Sequence, residues 1–177
     1  MSGHNKWQQI KRKKEVTDKK RGQIFSKLLK AISIAAREDA NPSYNSHLKA
    51  AIEQAKEFNV PQDNIERAVK KSQEVEHVKE LLMEAYGPEG VAILIQAHTD
   101  NSNRTVAEIK RILNDHDGKW ANQGSVIWAF EKTAEGYQPK FPQNISKEAG
   151  DKITRLMDAL DDHDDVSEIY TSANLEE

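Results

Sequence analysis

Residues 2–37 read SGHNKWQQIKRKKEVTDKKRGQIFSKLLKAISIAAR, and the organisation of this 177-residue chain follows from them. The first half of the stretch is a lysine-rich arm with one aromatic residue, Trp7. The second half becomes an amphipathic helix without a break. Residues 1–30 contain eight Lys and two Arg against two carboxylates, a local charge of about +8. Because like charges repel at this density, a polyanionic partner is expected to neutralise them.

A nucleic-acid backbone is the commonest such polyanion, and the arm is interpreted as a nucleic-acid-binding segment. The alternative is a solvated lysine-rich tail without a ligand. Trp7 either stacks on an exposed base or anchors the arm to the helices behind it, and both interpretations stay open. The residues predicted to contact nucleic acid are Lys6, Trp7, Lys11, Arg12, Lys13, Lys14, Lys19, Lys20, Arg21, Lys27 and Lys30.

Apolar residues recur at helical spacing in three segments of the first part of the chain. The predicted helices are Gly22–Arg37, Ser46–Phe58 and a third that follows Pro61, whose fixed φ suits a first helical turn. Residues 1–72 carry 16 basic and 8 acidic side chains, a net charge of +8. The first domain, residues 1–72, is therefore predicted to be a basic arm and a three-helix bundle.

From residue 73 to residue 177 the pattern changes to strands and helices, and 21 acidic side chains outnumber 10 basic ones. Gly87–Gly90 predicts a hairpin turn. The order strand, strand, helix, strand, weak strand, helix, strand contains the β-α-β-β-α-β arrangement of a ferredoxin-like sandwich. Within it, 125–130 is predicted as a strand with Trp128 and Phe130 in the core, and 137–142 as an edge strand or loop. The prediction is an α+β protein whose second domain, 73–177, is acidic and ferredoxin-like.

Enzymatic function finds little support in the sequence. The chain lacks cysteine, which excludes disulfides and thiolate chemistry, and it lacks nucleophile-elbow, P-loop and dinucleotide-binding patterns. Residues 161–165, DDHDD, suggest either a hard-cation site of a metal-dependent nuclease or an acidic helix end, and the helix end is favoured. Asp100 and Arg104 suggest a helix-capping network. We expect no metal, no cofactor, no membrane span and a cytoplasmic location.

The motifs taken together resemble the YebC family of proteins. The resemblance covers nearly the whole chain in the family's order, through SGHNKW (2–7), DKKRGQIFSKL (18–28), VPQDNIERAVKK (60–71), YGPEGVAILI (86–95), TDNSNRTVAEIK (99–110), GSVIWAF (124–130) and LDDHDDVSEIYTSA (160–173). It implies a helical first domain, α+β domains behind it, no enzymatic activity and a cytoplasmic bacterial setting. Some members are described as DNA-binding transcriptional regulators. Others act on the ribosome and relieve stalling on proline-rich stretches.

The YebC resemblance also raises an expectation about domain number. Family members usually carry a third domain inserted between the GSVxxxF strand and the last helix. Only residues 131–145 occupy that place here, so a short form without the third domain is predicted. The predicted partner is nucleic acid, ribosomal RNA on the ribosome or alternatively promoter DNA, and the predicted state is a monomer.

Overall fold

The computed structural model describes residues 18–75, 77–134 and 136–175. The packing of the backbone divides the described chain into two compact units, one that ends at Val78 and one that begins at Lys79. The first is helical, and the second combines strands with helices. The predicted α+β class, with a helical bundle ahead of an α/β sandwich, is confirmed.

The helical unit is built from three amphipathic helices and a closing turn. They are α1 (Asp18–Ala35), α2 (Ser46–Glu57), α3 (Gln62–Lys70) and a short 3₁₀ helix (Lys71–Val75). Their apolar stripes meet in one core, because residues three and four apart lie on the same side of a helix. The buried core consists of Leu28, Ile32, Ala36, Leu48, Ala55, Val60, Ile65 and Ala68. The polar stretch that follows α3 forms this 3₁₀ helix.

Asn45 fixes the connection between the first two helices. Its side-chain oxygen accepts the backbone N–H of Leu48 at 3.0 Å and so caps α2, as Asn at this position commonly does. Its side-chain nitrogen donates to the carbonyl oxygens of Ala35, 2.7 Å, and Asp39, 2.8 Å. One buried amide thus satisfies backbone groups at the end of one helix and the start of the next.

The second unit contains a four-stranded antiparallel sheet and two helices. Its elements are β1 (Lys79–Tyr86), β2 (Ala92–Thr99), α4 (Ser102–Asp115), β3 (Lys119–Ala121), a 3₁₀ helix (Ile127–Ala129), β4 (Phe130–Thr133), β5 (Gly136–Pro139), β6 (Gln143–Asn144), α5 (Lys147–Asp161), β7 (Val166–Thr171) and β8 (Ala173–Asn174). The strand order in the main sheet is β3-β1-β2-β7. The antiparallel β4–β5 ribbon and the short parallel β6–β8 pair lie outside it.

Both faces of the main sheet are covered, because strand residues alternate between the faces. On one face, Ile93 and Ile95 of β2 pack against α4 and α5, whose inner sides supply residues such as Leu113 and Leu156. On the other face, Leu94 and its neighbours pack under the segment that contains β4 and β5. The sequence run 91–95 is therefore continuously apolar because both of its sides are buried.

The predicted hairpin forms the centre of the main sheet. The hairpin of β1 and β2 around residues 87–90 is confirmed, with Lys79 opposite Thr99. The strand between β2 and β3 in the sheet is β1, which precedes β2 in the chain. The segment 137–142, predicted as an edge strand or a loop, pairs with β4 through β5, which ends at Pro139.

The strand predicted at 125–130 is wrong. A loop and a 3₁₀ helix occupy this segment because the Glu84 carboxylate, 4% exposed, binds its backbone. Glu84 accepts the N–H groups of Gly124 at 2.5 Å, Val126 at 2.6 Å and Ile127 at 2.9 Å. Backbone N–H groups that donate to this carboxylate cannot also donate to the carbonyl oxygens of a neighbouring strand. Gly124 has a φ of +88°, which this turn requires and which favours glycine.

The expectation that Trp128 lies in the core is also wrong. Phe130 is buried beneath the sheet as predicted, whereas Trp128 is 61% exposed. The alternation of a strand would place the two rings on the same side. The 3₁₀ helix that ends at Ala129 breaks this alternation and directs Trp128 outward.

Candidate nucleic-acid interface

A groove of about 420 Å³ lies between α1 and α3 in the helical unit. The residues that line it are all described, and they include three cations and no carboxylate. They are Ser26, Leu29, Lys30, Ser33, Asn64, Arg67, Ala68 and Lys71. Hydroxyl and amide groups beside three positive charges are donors suited to a phosphate or another anion.

The spacing of the lining residues follows from helix geometry. Ser26, Lys30 and Ser33 are separated by four and three residues on α1, so they share one side of that helix. On α3, Asn64 and Arg67 have the same relationship. The hydroxyl of Ser33 donates to the carbonyl oxygen of Ala68 at 2.7 Å and holds the two helices together at the base of the groove.

Helix stability offers a simpler account for two of the three cations. Arg67 lies in the last turn of α3 and Lys71 is its C-terminal cap, where the partial negative charge of the helix end favours cations. That account does not extend to Lys30, because Lys30 lies in the body of α1, five residues before its end. The convergence of charge from two separate helices on one groove is therefore more than an end effect of α3.

The structure locates only part of the predicted set. Of the predicted residues, Lys30 lines the groove. Lys20 and Lys27 are two turns apart on α1 and share another side of it, outside the groove lining. Arg21 is exposed, and its Nη1 lies 3.9 Å from the Asp18 carboxylate. The predicted residues Lys6, Trp7, Lys11, Arg12, Lys13 and Lys14, together with the side chain of Lys19, lie outside the described part of the structure.

Arg67 and Lys71 were missed by the sequence prediction. The helix periodicity places Asn64, Arg67 and Lys71 on one side of a helix that continues into a turn, and this signal was available. What the sequence did not contain is the packing of that side against Ser26 and Lys30, residues about forty positions earlier.

A second polar cluster connects α4 to the start of β7. One ligand atom each from Glu108, His163 and Asp165 lies within 4.8 Å of the others, a spacing compatible with a metal ion. His163 Nδ1 accepts the backbone N–H of Asp165 at 3.1 Å, so its Nε2 carries the proton donated to Glu108 at 2.7 Å. Asp165 accepts from Thr105 at 2.8 Å and from Arg104 at 2.9 Å. The side chains thus bind one another, which is the arrangement of a structural cluster.

The Asp100–Arg104 pair belongs to the same network. The side chain of Asn101 caps α4 by accepting the Arg104 N–H at 3.1 Å, and the Arg104 guanidinium reaches Asp100 at 3.1 Å. The hydrogen bond to Asp165 and the adjacent carboxylates raise the pKa of Arg104 above its ordinary value. The helix-capping interpretation agrees with this geometry.

The fold and the groove define a class of protein, one with a cationic helical unit joined to an α+β sandwich. The profile of the TACO1/YebC protein N-terminal domain matches residues 5–75, and that of the TACO1/YebC second and third domain matches residues 78–136. The chain belongs to the TACO1/YebC family. Within the described residues, no helix has the length and apolar character needed to cross a bilayer.

Relatives and a solved structure agree with this membership. The chain is 44% identical to a "probable transcriptional regulatory protein" of Pseudothermotoga lettingae, over 97% of this chain and 70% of the relative. A protein of the same description from Fervidobacterium nodosum is 34% identical, over 100% of this chain and 95% of the relative. The crystal structure of a conserved hypothetical protein from Aquifex aeolicus superposes with a TM-score of 0.79 at 28% identity, covering 90% of this chain and 93% of that one.

Proposed function

We propose that this protein is a non-enzymatic, nucleic-acid-binding regulator of gene expression that acts in the cytoplasm as a ribosome-associated translation factor. The observation that carries the proposal is the groove between α1 and α3, where Lys30, Arg67 and Lys71 converge with no carboxylate in the lining. Family membership supports it, since members of this family include factors that relieve ribosome stalling on proline-rich stretches.

Phosphate contacts dominate the binding that this groove offers. Two of its cations are lysines, which act as mobile point charges, and Arg67 can bind a phosphate through two parallel hydrogen bonds. Such contacts position a protein on a nucleic acid without reading its sequence. Double-stranded RNA is recognised largely through its shape and backbone, so a groove of this composition suits folded RNA such as that of the ribosome.

DNA-binding transcriptional regulation is the second candidate. The names of the relatives, "probable transcriptional regulatory protein", favour it. The same cations would bind DNA phosphates, and the groove by itself does not distinguish the two backbones. Specific DNA recognition would additionally require side chains that reach base edges in the major groove.

A matched pair of double variants tests the groove. Lys30→Ala/Lys71→Ala removes two lysines from the groove lining, and Lys49→Ala/Lys56→Ala removes two exposed lysines of α2 outside it. Binding to a folded ribosomal RNA fragment and to duplex DNA is measured by fluorescence anisotropy between 50 and 200 mM salt. We expect the groove variant to lower the slope of log K against log salt by about 2, at roughly one unit per lost phosphate contact.

The control variant should leave that slope close to the wild-type value, because its lysines lie outside the groove. Equal losses in both variants would show that net charge, not the groove, governs binding. Sedimentation of cell lysate through a sucrose gradient separates the two candidates. Migration with ribosomes supports the translation factor, and migration with DNA supports the transcriptional regulator.

The non-enzymatic part of the proposal has its own test. Labelled RNA incubated with the protein and Mg²⁺ should remain intact, because the carboxylates of the Glu108–His163–Asp165 cluster are bound by neighbouring side chains. Cleavage that a Glu108→Gln variant abolishes would instead identify the cluster as a nuclease centre.

A further inference from the structure

Two exposed aromatic rings lie side by side in the α+β unit, and neither is part of the groove. Trp128 is 61% exposed and Phe141 is 65% exposed, with ring centroids 6.3 Å apart and planes inclined by 49°. A hydrogen bond just beyond the β4–β5 ribbon, from the N–H of Lys140 to the carbonyl oxygen of Ala129, brings the two segments together. We refer to Trp128 and Phe141 as the aromatic pair.

The Trp128 ring of the aromatic pair is held in a fixed position. Its Nε1–H donates to the carbonyl oxygen of Ser125 at 2.7 Å. The same oxygen accepts the hydroxyl of Tyr86 at 3.0 Å, and the loop around it is bound by the buried Glu84 carboxylate. A large apolar ring kept outward by specific hydrogen bonds loses little side-chain entropy when a ligand binds it.

The size of the aromatic pair limits what can cover it. An aromatic side chain buries about 150–250 Å², so the exposed parts of two rings offer roughly 200–300 Å² together. A stable protein–protein interface needs about 800 Å² from each partner. A second copy of the chain or a folded protein would require far more apolar surface than the pair provides, whereas one nucleobase, with its face on one ring and its edge against the other, is small enough to match it.

Charge around the aromatic pair favours the same occupant. Residues 119–147 contain four lysines and two glutamates, whereas residues 148–177 contain two cations and ten carboxylates. Lys140, adjacent to Phe141 in the chain, and Lys132 of β4 are exposed. The pair therefore lies in a net-basic segment of an acidic second half, where a phosphate backbone is tolerated.

We propose that the aromatic pair stacks on an unpaired base of the nucleic acid that the protein binds. The inference rests on the proposed function and adds a second kind of contact to it. The groove binds the phosphates of base-paired and unpaired nucleotides alike. The aromatic pair requires an unpaired nucleotide, and it accepts any base because every base has a flat face that can stack on an aromatic side chain.

The test uses the full chain and two two-stranded RNA duplexes of identical base pairs, one blunt and one with a single-stranded tail. Trp128→Ala should weaken binding to the tailed duplex by about 5- to 150-fold, as expected for loss of one stacked base. Phe141→Ala should weaken it in the same direction, and it leaves the hydrogen bond to Ser125 intact. Binding to the blunt duplex, which has no unpaired nucleotide, and its salt dependence should not change in either variant.

Tyr44→Ala is the matched control, because Tyr44 is an aromatic residue 82% exposed on the helical unit. It should bind both duplexes like the wild type. Unchanged binding of the tailed duplex by both aromatic-pair variants would overturn the inference and leave the proposed function in place, since that function is tested by the groove variants. Failure of the wild type to bind either duplex would overturn the proposed function itself. A wild-type dimer that Trp128→Ala dissociates would identify a second copy as the occupant and overturn the inference.

Discussion

The two units of this protein place their decisive charges in opposite ways. In the helical unit, Lys30, Arg67 and Lys71 line one surface groove. In the α+β unit, Glu84 and Asp165 are turned inward, 4% and 9% exposed, and each is surrounded by hydrogen-bond donors. A buried charge is tolerated only when donors compensate its lost hydration. The outward charges line a surface groove, and the inward ones organise the fold.

This difference changes the meaning of the acidic second half. A count of charges treats every carboxylate alike, and it suggests a uniformly acidic surface. Glu84 instead anchors the loop at 124–127, and Asp165 ties the start of β7 to α4. The role of a charged residue in this chain is determined by its burial and its donors, not by the sign of the segment that contains it.

Replacing Glu84 should give the largest effect. Glu84→Ala leaves three backbone N–H groups near the core without an acceptor, and we expect a loss of about 3–5 kcal/mol in unfolding free energy. Urea unfolding followed by circular dichroism measures it. Because the contacts of Glu84 lie within residues 79–175, the salt-dependent binding at the groove should survive.

Glu80→Ala is the control for Glu84→Ala. Glu80 lies on the same strand and the same face of the sheet, but it is exposed and its hydrogen bond is to the side chain of Gln96. Its replacement should cost less than about 0.5 kcal/mol. Similar losses for the two variants would remove the distinction between inward and outward charge.

An intermediate effect is expected from Tyr170 at high pH. Burial, with smaller contributions from Glu168, Tyr137 and Glu80, raises the pKa of Tyr170 above its ordinary value. The folded state thus retains the phenolic proton at a pH where the unfolded chain has lost it. The contribution is complete below about pH 10 and is lost as the pH rises above it, at up to about 1.4 kcal/mol per pH unit.

Tyr170→Phe isolates this contribution, because the variant has no proton to lose at that position. Its unfolding free energy should fall less steeply than that of the wild type between pH 9.5 and 11, an interval set by the tyrosine reference of about 10. Parallel pH profiles for the two proteins would contradict the prediction.

The smallest effect is expected in the helical unit. Gly22 lies inside α1, and a Cβ added there would meet no atom within 4 Å. Gly22→Ala should therefore stabilise this unit by about 0.5–1 kcal/mol through helix propensity alone, without altering nucleic-acid binding. A stabilised protein with weaker binding would show that flexibility at Gly22 is part of the interface.

Periodicity predicted what depends on nearby residues. The three helices and the hairpin at 87–90 follow from patterns within a few positions, and the structure contains them. The segment at 125–130 could not be predicted in this way, because its conformation depends on a carboxylate some forty residues away. The groove was half predictable for the same reason. Lys30 was identified from its own helix, whereas its meeting with Arg67 depends on tertiary packing.

β1 lies at the centre of the main sheet, between β2 and β3. This position affects how the α+β unit folds during synthesis. The two innermost strands are also the first two made, and they are joined by a short turn. Emerging from a ribosome, this hairpin can pair before the flanking strands exist, since closing a short loop costs little entropy. The sheet then has a template on both sides to which β3 and β7 are added as α4 and α5 cross over, so we expect its assembly to proceed outward from the middle during synthesis.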